Sequence, residues 1–432
     1  MQMKNKLKSE KGVMTMYVTV AVVTFTIILV ALFSLAVATR KNQIKTLIKV
    51  KEVYEQDNNK KEQIYMEQKK KIELPSTSDT TPYYPDDTFR RDSSTDLDTG
   101  LVIKDKNKNE YVWIEVPKTA EVYPTAGLKI TNFTVDEYTA IETDLHTYTN
   151  YYRNGTSFTD EYPSDKVLAG TGLDSDAYTA LKQKMLKSVY ENGGFWIGRY
   201  EAGIAENRTS KEIDLATAPA PLSTSKTGTE ENPIYPYPYT YVTCSQAQTL
   251  ASKLSTGKSY TSSLMFGVQW DLVLKHIETK EVEKGTALAT IQSALRSNSS
   301  SWGNYRDASF TINRGKYAKD GALSTWYNYN TALENCVTYA NGTSTKISAS
   351  DYNNSILLTT GASDACKKMN IYDLAGNVSE LTLEYTADSN VPCTVRGGSY
   401  HNVGSGPPAS YRYNLLTTLS VSTYGFRSSL FK

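Results

Sequence analysis

The chain has 432 residues, with 47 Lys and Arg against 46 Asp and Glu and a formal net charge of +1. That balance excludes an overall field that would draw nucleic acid or another anionic polymer to the surface. The length allows two or three ordinary domains, or one large irregular domain with appendages. Tyrosine is over-represented, 32 residues against 10 Phe and 3 His. Its ring covers apolar area and its hydroxyl stays available to water or a ligand, which suits a recognition surface and equally an exported protein's habit of composition.

In chain order, residues 1–12 form a basic leader with Lys4, Lys6, Lys8 and Lys11, and residues 13–39 contain no charge. About twenty apolar residues cross a bilayer, so 13–39 is expected to be a single transmembrane helix, the contact between this chain and the membrane. Arg40, Lys41, Lys45 and Lys49 follow it, so the flanking charges nearly balance and do not set the orientation. Ser34-Leu35-Ala36-Val37-Ala38 could also imitate a cleavage site. Residues 40–74 space Ile44, Leu47, Ile48, Val50, Val53 and Tyr54 as an amphipathic stalk helix does. Residues 75–99, with Pro75, Pro82, Pro85 and Asp86-Asp87, read as a flexible linker.

Residues 100–432 form the distal domain. Leu101 to Ile103 and Tyr111 to Val116 flank turn residues and predict a hairpin. Residues 174–191 carry helical spacing and stop at Asn192-Gly193-Gly194, ahead of an aromatic strand over 194–202. In residues 242–254 a helix is expected with Ser245 as its N-cap, and another over 263–277 around Trp270. His276 reads as an ordinary surface or packed histidine. Cys244, Cys336, Cys366 and Cys393 show no metal spacing. They allow a Cys366–Cys393 disulfide or four buried free thiols.

Four motifs close the chain. They are Asn370 to Glu380, with Asp373, Gly376, Asn377 and Glu380; Arg396-Gly397-Gly398-Ser399-Tyr400; Tyr411-Arg412-Tyr413; and Gly425-Phe426-Arg427. In this order they resemble the end of the formylglycine-generating enzyme (sulfatase-modifying factor) domain, and the resemblance extends in scattered blocks over 194–430. It implies an α+β domain of C-type-lectin-like fold with little regular secondary structure. It also implies a calcium held by Asp373 and Glu380 through side chains and by Gly376 and Val378 through carbonyls, the mixed oxygen set that this ion takes. The alternative there is an Asp-capped turn with Glu380 in a salt bridge.

In the resembled enzymes two cysteines in this region bind Cu(I), a soft ion that prefers sulfur. The matching positions here are Asn402 and Ser410, so neither copper nor catalysis is expected. A ligand groove is expected instead, made by Tyr400, His401, Asn402, Ser405, Ser410, Tyr411, Arg412, Tyr413 and Asn414. The composition of 399–424 is compatible with a diversified segment.

Ser9-Glu10-Lys11-Gly12 before the apolar run is also similar to a type IV pilin-like N-terminus, although Tyr17 stands where those proteins carry Glu. The expected function is a surface binding protein, an adhesin or receptor, anchored once in a bacterial cell membrane with its C-terminal domain outside. Its ligand would be an extracellular protein, peptide or glycan. The alternatives are a formylglycine-generating oxidoreductase working through Cys393 and His401, and a pilin-like subunit that forms a filament or oligomer through its N-terminal helix.

Overall fold

The computed structural model describes residues 2–69, 73–153, 157–163, 170–229 and 231–432. It divides into two compact units, Met1–Lys71 and Ile72–Lys432. The first is one helix, α1 (Gln2–Lys69). Leader, apolar run and most of the expected stalk are thus continuous; of the stalk expected to 74, residues 70–72 lie outside the described residues and 73–74 are not helical.

The helix is long and apolar enough to cross a membrane. Its uncharged part is about 40 Å long at the helical rise, more than a bilayer core requires. Thr24 and Thr26 donate their hydroxyls to the carbonyls of Val20 and Val22, each at 2.8 Å. These bonds satisfy polar side chains inside the helix, as hydrocarbon surroundings demand. Large apolar side chains from Val13 to Val37 stand exposed, Phe33 at 72%. The face of Ile44, Leu47, Ile48 and Val53 is equally uncovered within this unit.

The second unit is a mixed α+β domain. Its first half holds β1 (Arg90–Arg91), β2 (Val102–Lys104), β3 (Glu110–Glu115), α2 (Val135–Tyr148), α3 (Ser175–Asn192) and β4 (Gly194–Gly198). Next come α4 (Cys244–Ser252), β5 (Thr261–Leu264) and α5 (Gly267–Glu283). The last stretch holds β6 (Ser379–Thr386), β7 (Cys393–Arg396), β8 (Arg412–Leu415), β9 (Tyr424–Phe426) and β10 (Ser428–Phe431). The largest of seven sheets among the described residues runs β1-β2-β3-β4-β10-β5, and the next largest runs β8-β7-β6-β9 with Phe158–Thr159 also paired to β6.

Strand alternation gives the first sheet two apolar faces. Val112, Ile114, Phe195 and Ile197 enter the main core, while Tyr111, Trp113 and Trp196 enter a second cluster with Phe89. That second face must be covered, and residues 75–99 cover it. They are therefore part of the domain, not a flexible linker. Phe89 is fully buried, Arg90–Arg91 pairs with Ile103 and Lys104, and Tyr83 packs edge-on against Trp113. Trp196 donates its indole N–H to the Tyr83 carbonyl at 2.9 Å. Three aromatics scattered among Pro and Asp carry a packing that average polarity conceals.

Local signals explain the helix ends. Asp174 accepts from the Ala177 amide at 2.8 Å, and Gly193 closes α3 in the left-handed region, as expected. α4 departs from expectation at its cap, which is Thr243 and not Ser245. Thr243 and Gln246 bond reciprocally as a capping box, which places Ser245 inside the first turn. Residues 261–264 form strand β5 and α5 begins only at Gly267, so the helix expected over 263–277 starts later.

All four cysteines are free and buried. Of the two alternatives left by the sequence, the structure holds four free thiols and no Cys366–Cys393 pair; the Cys244 thiol lies beside Cys393 and donates to the Thr382 carbonyl at 3.4 Å. Burial predicts almost no reaction of the native protein with an aromatic disulfide reagent, and four thiols released on denaturation. Rapid labelling in the native state would contradict this packing.

Candidate binding cleft

Four strands and one long loop build a cleft of about 450 Å³ near the C-terminal motifs. β7 runs antiparallel to β6 and β8, with Arg396 opposite both Glu380 and Arg412, while β6 pairs in parallel with β9. After Arg396 the chain turns sharply through Gly397 (φ 87°) and Gly398 (φ 72°). A Cβ at Gly397 would lie 2.6 Å from the Leu374 carbonyl oxygen, and one at Gly398 2.3 Å from that of Pro407. Only glycine tolerates both the conformation and the approach.

The loop that follows is pinned from below. Tyr305 donates its hydroxyl to the carbonyls of Gly397 (2.6 Å) and Pro407 (3.0 Å), and the fully buried Trp270 donates to Ala409 at 2.9 Å. Ser299 accepts from the Ala409 amide at 2.9 Å. The cleft wall is therefore fixed by bonds from the loop that holds Ser299 and Tyr305 and from the helix that holds Trp270.

Of the expected groove residues, His401, Asn402, Tyr411 and Tyr413 line the cleft. Tyr411 and Tyr413 sit on the edge of the second sheet, 39% and 48% exposed, with rings 6.4 Å apart and inclined by only 14°. His401 Nε2 lies 2.7 Å from Asp320 Oδ1. Asn402 Oδ1 accepts from the amide (2.8 Å) and hydroxyl (2.9 Å) of Ser399, fixing the turn beside it.

The other five expected residues do not line the cleft. Tyr400 is fully buried, its hydroxyl 3.3 Å from Asp320 and 3.4 Å from Ser422. Ser410 is buried and its amide donates to the Leu295 carbonyl at 3.0 Å. Ser405 is exposed away from the cleft and Asn414 is half-buried.

Arg412 is the clearest correction. Strand alternation puts it on the face opposite Tyr411 and Tyr413, inside the protein. There it joins Arg396, Asp271 and Glu384 in a closed network. Arg396 bonds Asp271 at 2.8 Å and Glu384 at 3.2 Å, while Arg412 bonds Glu384 at 2.8 Å and also Asp271. Burial alone would lower both guanidinium pKa values. The two carboxylates override it at Arg412, whose pKa is raised, whereas Arg396, further opposed by the Arg412 charge, is lowered.

A second buried charge cluster lies along the same strands. Arg427 chelates Glu380 at 2.5 and 3.1 Å and donates to the carbonyls of Gly198 (2.9 Å) and Tyr372 (2.8 Å). Glu201 and Asp373 share this region. Burial, then the charges of Asp373 and Glu380, push Glu201 well above its ordinary pKa. Burial likewise raises Asp373 to about 7, against the opposing pull of the Gly361 amide and Arg427. Asp373 Oδ2 accepts from Gly361 at 2.7 Å, and Oδ1 has no partner. A calcium held jointly by Asp373 and Glu380 does not fit this arrangement, since the guanidinium already occupies both Glu380 oxygens.

Glu142, His146 and Asp160 also converge, His146 Nε2 lying 3.9 Å from Glu142 and 3.6 Å from Asp160. Their carboxylates already have partners. Lys182 bonds Glu142 at 2.9 Å, and Asp160 caps α5 by accepting from Gly267 (2.7 Å) and Val268 (2.8 Å). His276 is packed and neutral. Burial, then Lys280 and Lys284, lower it to about 3, and its Nδ1 accepts from the Glu115 amide at 3.3 Å.

Sequence reasoning missed the polar lining residues Ser379, Ser399, Thr423 and Tyr424, the lining by Val395, Gly398, Gly406 and Pro407, and Asp320 behind His401. Tyr424 directly precedes Gly425-Phe426-Arg427, so the motif itself pointed to it. Asp320 carries no such signal, being brought in from a distant loop. The cleft offers rings, hydroxyls and amides, with no cysteine and no Lys, Arg, Asp or Glu among its lining residues. No protein-family model, no curated protein and no solved structure matches this chain.

Proposed function

We propose that this protein is a membrane-anchored binding protein, displaying outside a bacterial cell a catalytically inactive domain of formylglycine-generating-enzyme-like, C-type-lectin-like fold. One observation carries the reading: the cleft at the closing motifs is walled by tyrosine, hydroxyl and amide groups and contains no thiol. Asn402 lines it and Ser410 is buried beneath its loop, so neither position supplies the sulfur that Cu(I) requires. The apolar helix α1 supports the anchor. The pilin-like alternative rests on the same helix and on the Gly12 that precedes its apolar run.

The test is incubation of the purified full chain with Cu(I) and a cysteine-containing peptide under oxygen. No stoichiometric copper binding and no aldehyde product are expected. Formation of formylglycine, with its loss in a His401→Ala or Cys393→Ala variant, would replace the binding reading by the oxidoreductase one. Mass spectrometry of the mature N-terminus settles the filament alternative, because processing after Gly12 is required for it.

A further inference from the structure

We infer that the cleft recognises an uncharged oligosaccharide, an inference that rests on the binding reading above and gives it a ligand class. Three observations converge. First, no side chain with a fixed charge lines the cleft, and its one imidazole, His401, already faces Asp320 at 2.7 Å. A phosphate, sulfate or carboxylate ligand would find no cation to replace its water, and burying such a charge unpaired is costly. A lysine- or arginine-rich peptide would equally find no free carboxylate.

Second, Tyr411 and Tyr413 present two nearly parallel, exposed rings at alternate positions of an edge strand, with Tyr424 across the cleft. Such rings offer flat apolar faces ending in hydroxyls. A pyranose has the matching anatomy, an apolar C–H face ringed by hydroxyl groups. Successive residues on one strand face repeat at about 6.5 Å, a spacing that serves neighbouring units of an extended chain.

Third, the remaining polar lining consists of Ser379, Ser399, Asn402 and Thr423. Hydroxyl and amide groups both donate and accept, so they can pair with sugar hydroxyls of either sense. The wall is also held rigidly by Tyr305, Trp270 and Ser299, so little order has to be gained on binding. An extended peptide would draw instead on a sheet edge through backbone bonds, which neither the rings nor the hydroxyl lining requires.

The experiment uses the full chain in a detergent without a sugar headgroup. Saturation-transfer NMR and calorimetry are run against linear neutral hexose and N-acetylhexosamine oligomers, a sulfated oligosaccharide and an unstructured neutral peptide. Binding of a neutral oligomer is expected, with affinity changing by less than about twofold between low and high salt. Joint replacement Tyr411→Ala and Tyr413→Ala is expected to weaken it about tenfold or more, as loss of paired aromatic anchors does, with the melting temperature unchanged. Peptide or sulfated-sugar binding that the same double variant abolishes would overturn the carbohydrate assignment and leave the binding reading intact. No response to any probe would overturn the assignment for these sugar classes, while neutral-sugar binding that survives the double variant would move it away from this cleft.

Discussion

Asp271→Asn is expected to destabilise the distal domain by about 3–5 kcal/mol, the cost of removing one partner from a buried ion network. Asp271, Glu384 and Arg396 are fully buried and the Arg412 side chain is 4% exposed, so no water enters to compensate. Each arginine bonds both acids and each acid bonds both arginines, which leaves the intact network neutral. Substituting any corner strands a charge. Arg412→Ala should therefore lose stability by a similar amount, and it additionally frees the Tyr152 carbonyl that accepts from Arg412 at 2.9 Å. By contrast, Tyr413→Ala on the adjacent exposed position should stay within about 0.5 kcal/mol of the parent. Chemical denaturation followed by circular dichroism measures all three. The double variant Asp271→Asn with Arg412→Ala should cost less than the two single losses added, because the groups share one network. Additive losses, or an unchanged midpoint in Asp271→Asn, would show that the four groups do not act together.

His276→Gln and Asp373→Asn are expected to tilt the pH profile of stability in opposite senses. His276 is lowered from 6.5 to about 3 in the fold. Its contribution is therefore present above pH 6.5 and is lost as the pH falls toward 3, where the unfolded chain takes up a proton that the folded one refuses. Asp373 is raised from 3.8 to about 7. Its contribution is complete below pH 3.8 and is lost as the pH rises toward 7, where the unfolded chain releases a proton that the folded one keeps.

Relative to the parent, His276→Gln should thus become more stable as the pH falls through 6.5 to 3, and Asp373→Asn as it rises through 3.8 to 7. Each displacement amounts to at most about 5 kcal/mol. Glutamine retains an acceptor for the Glu115 amide, so the first comparison isolates the proton. Melting curves in a buffer series measure both differences, and parallel profiles for parent and variant would refute either assignment. Calcium added above pH 7 provides a further control. Arg427 occupies Glu380, so the expected rise in melting temperature is negligible, and a large calcium-specific rise would mean that the guanidinium is displaced.

Much of the framework was legible from local chemistry. The 102–115 hairpin and the helix ended by Gly193 follow from residues whose backbone preferences act over a few positions. The groove was legible only by half. Tyr411 and Tyr413 are among the cleft's lining residues, but Arg412 between them belongs to the opposite face, as a period of two already required. The segment 75–99 was misread because linker-like composition hid the apolar side of a sheet that needed covering. His401's partner and the meeting of Cys244 with Cys393 are long-range facts, set by topology and invisible to spacing along the chain.

The place of β10 has a consequence for biogenesis. Ser428–Phe431 is inserted between β4 and β5, so the larger sheet stays split into two parts until residue 431 has been synthesised. Because domains generally fold as units, the nascent chain must emerge with this sheet open. The same arrangement makes the domain intolerant of the loss of β10, which would leave Trp196 and Leu264 at two unpaired, aggregation-prone edges.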